Sequence, residues 1–253
     1  MDFLGMPDIG PLLFAGLSAA SFVAAFVAVY AGAAGGVLLL AIMAIAMPPA
    51  VVIPVHTVVM LGTGMARTVT MWPHVMRGTL LPFVFGAAIG AAVGAKIFVA
   101  LPLASLQAIL GAFVLVVTWL PKIGRVGAER GRFAFLGFGA TFLGVFVSAT
   151  GTLIAPFVAS AAPDRYNHAA TLGALMTITH IAKLAAFGFI GVAIGSFAPL
   201  MAAMVVTGAA GNWIGQAALH RTSEDRFRLV LKLLLTALGL RLLWSAVPDF
   251  GWF

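Results

Sequence analysis

The 253-residue chain is 62% hydrophobic and only 8% charged, with a mean hydropathy of +1.14. So little polar surface cannot cover a soluble domain, and the composition excludes one. The net charge of +7 does not require nucleic acid, because basic cytoplasmic loops supply such an excess in membrane proteins, and the absence of cysteine excludes disulfides, thiolate metal sites and thiol chemistry.

In chain order, the opening "MDFLGMPDIGP" lacks a basic run ahead of an apolar core, so no cleavable signal peptide is expected. Ten apolar segments follow, over about 11–30, 33–47, 50–71, 79–100, 104–120, 131–147, 152–162, 167–190, 196–218 and 227–246. The short alternating segments of a membrane β-barrel are absent. The expected fold is therefore all-α and polytopic. "PP" at 48–49, "LP" at 101–102, "AAPDR" at 161–165 and a charged stretch at 121–132 punctuate the segments. Segments 33–47 and 152–162 are too short to cross ~30 Å of hydrocarbon at about 1.5 Å per residue. Each follows a helix that ends in a small-residue break, "AGAAGG" in one half and "SATGT" in the other. Both therefore read as broken or re-entrant half-helices.

The breaks occupy matching places. An offset of 116 residues sets Gly35 on Gly151, Gly36 on Thr152 and Arg67 on Lys183, and an offset of 121 sets Gly90 and Gly94 on Gly211 and Gly215. The chain reads as one transmembrane domain of two repeats, about 11–120 and 131–246, joined by a cytoplasmic linker at 121–131. Paired glycine-interrupted segments point to a transporter's binding site. Glycines at helix spacing also serve close packing, which accounts for Gly90, Gly94, Gly211 and Gly215.

Charge chooses a topology. Basic residues gather around Arg67 and Arg77, in the linker, and around Arg221, Arg226 and Arg228. Basic loops belong on the cytoplasmic side. All three fall there only if each broken pair goes in and comes back, giving five segments per repeat and an inverted second repeat. Both termini then face the periplasm. Trp72 and Trp119 mark the inner boundary and Trp244 the outer one.

All seven acidic residues fall in loops or termini by this map, so no carboxylate remains in the bilayer to hold a cation or relay a proton. What remains there is Arg67, Lys96, Lys183, His56 and His180, with Arg241 near a helix end. Lys96 reads as snorkelling to the interface and Arg241 as an anchor. Lys183 sits in mid-segment in "MTITHIAKLAAFGF", where a lysine costs ~3 kcal/mol on insertion scales. A chain that keeps it there without an acidic partner is expected to supply the counter-ion as an anionic substrate. Ser148, Thr150, Gly151 and Thr152, with Gly35 and Gly36, lie where half-helix N-termini would present N–H groups to that anion. Thr57 and Thr171 offer hydroxyls beside His56 and His180. The duller readings stand alongside: the hydroxyls of the second break satisfy opened backbone, His180 bonds across helices, and Thr57 and Thr171 merely pack.

The chain resembles the sulfite exporter family of the TauE/SafE type. The resemblance rests on "YAGAAGGVLLL", "VIPVHTVVM" and "GAAIGAAVGAKIFVALPLASLQAILG" in the first half, and on "VSATGTLIAPF", "NHAATLGAL" and "GAAGNWIGQAALHRTSEDRFRLVLKLLL" in the second. It covers nearly the whole chain. The sequence departs from the family pattern at "SATGT", where the glycine run is thinned, and at His56 before Thr57. The resemblance implies a two-repeat permease of the bacterial inner membrane for sulfite, sulfonates or related small anions. A proton or sodium ion would couple transport, with His56 and His180 as the candidate proton carriers. No cofactor or nucleic acid is expected, and oligomerisation stays open. No G-x-x-x-x-G-K-[ST] is present, so the chain itself is not expected to hydrolyse ATP. Two other classes are weaker. A divalent-metal permease would want carboxylates or thiolates. An intramembrane enzyme would want a nucleophile with its base or a metal triad, and neither H-E-x-x-H nor G-x-S-x-G occurs.

Overall fold

The computed structural model describes residues 3–31, 34–119, 132–218 and 224–247. Among them it forms ten α-helices and no strand: α1 (Pro11–Ala31), α2 (Ala34–Ala46), α3 (Pro49–Thr70), α4 (Leu80–Ala100), α5 (Leu103–Trp119), α6 (Arg132–Val147), α7 (Gly151–Ala161), α8 (Arg165–Phe189), α9 (Ala198–Ala218) and α10 (Glu224–Ala246). Every expected segment is a helix within about three residues of its expected bounds. The expected linker at 121–131 lies outside the described residues.

Local chemistry sets the helix ends. Pro49 begins α3, a position where its missing N–H costs nothing because the first N–H groups of a helix have no intrahelical acceptor. The Asp164 carboxylate caps α8, accepting from the N–H groups of Tyr166 and Asn167 at 2.7 and 2.9 Å. α6 stops because Ser148 turns left-handed, at φ +55°, while its own N–H still reaches the Gly144 carbonyl at 2.9 Å.

The helices form two compact units, and neither unit is one repeat. The first takes α1, α2, the start of α3, α5, α9 and α10; the second takes the rest of α3 with α4, α6, α7 and α8. In the first unit α1 packs on α9 and α2, and α10 packs on α5 and α2. In the second unit α4 packs on α6 and α8, and α7 on α8.

Backbone-to-backbone contact makes the tightest pair in each unit. In the second, a β-carbon on Gly86 would collide with the Ala134 carbonyl, one on Gly90 with the Phe138 carbonyl, and one on Gly137 with the Phe83 carbonyl. The contacts between Gly86 and Phe98 of α4 and between Ala134 and Phe146 of α6 climb together, so these helices run parallel. In the first unit the Thr207 hydroxyl donates to the Ser18 carbonyl at 2.8 Å, Gly211 abuts the Phe22 carbonyl, and the Ser21 hydroxyl donates to the Met204 carbonyl at 2.7 Å. Ser18, Phe22 and Ser21 lie 116 residues before Ala134, Phe138 and Gly137; Thr207, Gly211 and Met204 lie 121 residues after Gly86, Gly90 and Phe83. The same three contacts therefore recur in each unit, with the fourth helix of one half packed on the first helix of the other.

The surface is apolar as well. Phe135 and Phe189 are 82% and 92% exposed, an arrangement suited to lipid tails rather than water. Among the described residues, four runs (Pro11–Ala28, Arg77–Ala100, Arg165–Phe189 and Gly195–Gly215) are long and apolar enough to cross a membrane.

Candidate functional site

The break between α6 and α7 lies wholly inside the second unit, and Lys183 ties it to α8. The lysine is fully buried, and its Nζ donates to the Ser148 hydroxyl at 3.2 Å and to the Ser148 carbonyl at 3.4 Å. Both contacts are longer than the ~2.7–2.9 Å of a strong charge-assisted bond, and an ammonium has three donors. Among the described residues no carboxylate pairs with it; Asp164, the acid described nearest in sequence, is engaged at the start of α8.

Gly144 makes the room. A β-carbon there would meet the Thr150 methyl at 3.0 Å and Lys183 Cδ at 3.3 Å, so the lysine stem crosses α6 only because this position is bare. Residues 141 and 144 lie one turn apart on α6, and Ser148 follows its last residue. Thr141 and Thr150 are fully buried. Their hydroxyls and that of Thr152 have no hydrogen-bond partner among the described residues. Thr150 stands at the N-cap of α7, but its own backbone is already helical, at φ −93° and ψ −1°, and its side chain does not cap. The first N–H groups of α7, starting at Gly151, are thus left without a capping side chain. His180, one turn before Lys183, is buried too. Thr179 turns its hydroxyl back to the Leu175 carbonyl at 2.9 Å.

The structure brings Ser148, Thr150 and Lys183 together at the break, with Gly151 and Thr152 following Thr150 at the start of α7 and His180 one turn before Lys183 on α8. It does not bring Thr171 to them. That residue lies about 18 Å down α8 from Lys183, and its hydroxyl accepts the Met76 N–H at 2.9 Å, fastening the α3–α4 loop. Nearby, Asn167 donates to the His74 carbonyl at 2.8 Å, so the α3–α4 loop and the start of α8 share one end of this unit. Arg67 has a helical backbone within α3, but its side chain lies outside what is described. Gly35, Gly36, His56 and Thr57 belong to the first unit. There a β-carbon on Gly35 would collide with Ala24 and Ala28 of α1, and buried His56 donates from Nε2 to the Gly36 carbonyl at 3.0 Å. Thr57 is spent on the Ile53 carbonyl at 2.7 Å.

Sequence reasoning missed Thr141 and Gly144. Their spacing from Ser148, seven and four residues back, was the available signal. No group of three or more histidine and acidic residues among the described residues is placed to hold a metal ion.

An all-helical, multi-pass membrane protein with a cationic, hydroxyl-lined break buried among its helices falls in the class of membrane transporters. The chain belongs to the sulfite exporter TauE/SafE family, whose model matches residues 17–242. Membership makes it a membrane transporter of a family whose cargo is a small anion, and that family is one of transporters rather than enzymes. No curated protein and no solved structure matches the chain.

Proposed function

We propose that the protein is a secondary transporter, working as an exporter, for sulfite, a sulfonate or a related small organic anion. The observation that carries this reading is Lys183. It is a buried lysine with no carboxylate among the described residues, held loosely at a helix break whose hydroxyls and first N–H groups have room for more acceptors. An oxyanion in that position would take charge-assisted bonds from the ammonium and neutral ones from the threonines. It would also lie at the positive end of α7.

The recurrent contacts support an inverted-repeat origin within a single transporter domain. Access would alternate around the break, coupled to a proton or sodium gradient. The basic loops favour an inner-membrane protein with both termini in the periplasm.

The divalent-cation reading loses support from the donor set, since an ammonium and hydroxyls repel or barely hold a dication. Uptake of labelled sulfite and of nickel into proteoliposomes separates the two. Sulfite transport that nickel neither replaces nor inhibits is expected; nickel transport without sulfite transport would overturn the anion reading.

A further inference from the structure

The contacts that recur in the two units fix the offset between α1 and α6 at 116 residues, residue by residue. That register lets the two breaks be compared position by position in the sequence. At the second break stand Thr141, Ser148, Thr150, Thr152 and His180; their counterparts are Ala25, Gly32, Ala34, Gly36 and Gly64. In each of these five the first half has alanine or glycine where the second has a polar side chain; Lys183 differs, its counterpart being the charged Arg67. Gly144 is reversed in sense: bare in the second half, it corresponds to Ala28, whose methyl occupies the contact with Gly35. The second break keeps unpartnered hydroxyls, while the described residues beside the first pack on one another. Its α2 backbone presses on Ala24 and Ala28, and the His56 ring takes up the carbonyl of Gly36. In the second half the position of His56 is Leu172 and that of Gly36 is Thr152, whose hydroxyl has no partner among the described residues.

Thr141 is the member of this set that neither the break nor Lys183 requires. It lies in the regular part of α6, fully buried, and its hydroxyl has no hydrogen-bond partner among the described residues. Threonines inside helices ordinarily return their hydroxyl to the carbonyl four residues back, as Thr57, Thr118 and Thr179 do in this chain. Burying a hydroxyl without an acceptor is costly, and Thr141 stands one turn before Gly144, the bare position that the Lys183 stem crosses.

We propose that the chain binds one anion, in a dry slot between α6, α7 and α8 where Thr141 donates a hydrogen bond to it, and that the α1–α2 break is a structural joint that takes no ligand. This rests on the anion reading above and narrows it. The joint keeps the fold shared by the two halves. The slot alone carries recognition, so discrimination among anions follows the number of oxygens that the three threonines and Lys183 can reach.

The test uses the purified full-length chain, with sulfite under argon and methanesulfonate as probes, read by equilibrium binding and thermal melting. One equivalent of probe per chain is expected. Thr141→Val should weaken binding roughly 3- to 10-fold, the worth of one neutral hydrogen bond, without lowering the melting temperature, because the hydroxyl has no partner among the described residues to lose. Thr141→Ser should restore most of the affinity. His56→Leu should melt earlier and bind as tightly as the parent. Two equivalents per chain, unchanged affinity in Thr141→Val, or lost affinity in folded His56→Leu would each overturn the proposal. If Thr141→Val does not fold, Thr141→Ser against Thr141→Ala gives the same comparison. Lys183→Met separates the levels. If it weakens binding while Thr141→Val does not, the slot is wrong and the anion reading stands. If neither variant changes affinity, or neither probe binds, the anion reading falls with it.

Discussion

Beside the break between α1 and α2, the described contacts are mostly carbon and backbone. Gly35 lies against Ala24 and Ala28, and the polar side chain turned onto α2, His56, is occupied with the Gly36 carbonyl. At the break between α6 and α7, a lysine stem passes a bare glycine and its ammonium rests loosely on Ser148. The buried hydroxyls of Thr150 and Thr152 there, and that of Thr141 two turns back in α6, have no acceptor among the described residues. Both joints solve the same backbone problem, ending one helix in a low-dielectric surround and starting another. The first does so with protein groups. The second leaves donors over, and leftover buried donors are costly unless something else accepts from them. The difference separates a joint from a site.

Lys183→Met should produce the largest change in that comparison. It removes the charge but keeps length and apolar volume, so binding of sulfite should fall about 10- to 150-fold, the ~1.5–3 kcal/mol of a charge-assisted hydrogen bond. Insertion and stability should hold or improve, because a cation among apolar helices is itself costly. Gly35→Ala should act on the other side of the comparison. The Ala24 carbonyl cannot yield without moving α1, so overpacking of ~1–3 kcal/mol should lower the melting temperature and leave the affinity of folded protein unchanged. A smaller loss, about 1–2 kcal/mol, is expected for His56→Leu, which leaves the Gly36 carbonyl without that donor; His56→Gln, able to donate to the same carbonyl, should recover part of it. Topology carries no energy scale but sharpens the account of how the two joints arose. Tags at both termini should be reached from the periplasm and a tag at Gly127 only from the cytoplasm. Termini on opposite faces would break the inverted pairing of the breaks.

Much of this was readable beforehand because membrane helices write themselves plainly into sequence. Runs of apolar residues set the ten helices, and the double proline at 48–49 and Asp164 set two of the ends. Lys183 stood out because a lysine rarely lies that deep in an apolar run. Thr141 and Gly144 did not stand out. Threonine and glycine are common inside membrane helices as packing residues; the crossing of the lysine stem gives Gly144 a different meaning, and an unpartnered hydroxyl gives Thr141 one. His56, a candidate because it lies well inside an apolar segment, donates from Nε2 to a backbone carbonyl of its own unit. Thr171 likewise holds a loop at the far end of α8. A polar residue in a membrane helix announces that a partner exists, and sequence does not say whether that partner is backbone or cargo.

The exchange of helices between the two halves was not readable at all. Offsets between repeats align residues, but they do not say which helix packs on which. The carbonyl contacts of Gly86, Gly90 and Gly211 supply that information.

The most direct measurement is the thermal stabilisation that sulfite confers on the parent chain and on Lys183→Met. A ligand that binds only the folded state adds stability as its concentration passes the dissociation constant, about 2.7 kcal/mol at a hundredfold excess over it. The account predicts a clear rise in melting temperature for the parent. It predicts little or none at the same sulfite concentration for Lys183→Met, although that variant melts no lower than the parent without ligand. An equal rise in both proteins, or a Lys183→Met that melts early and still gains from sulfite, would contradict it and reduce Lys183 to a fastening for the backbone of Ser148.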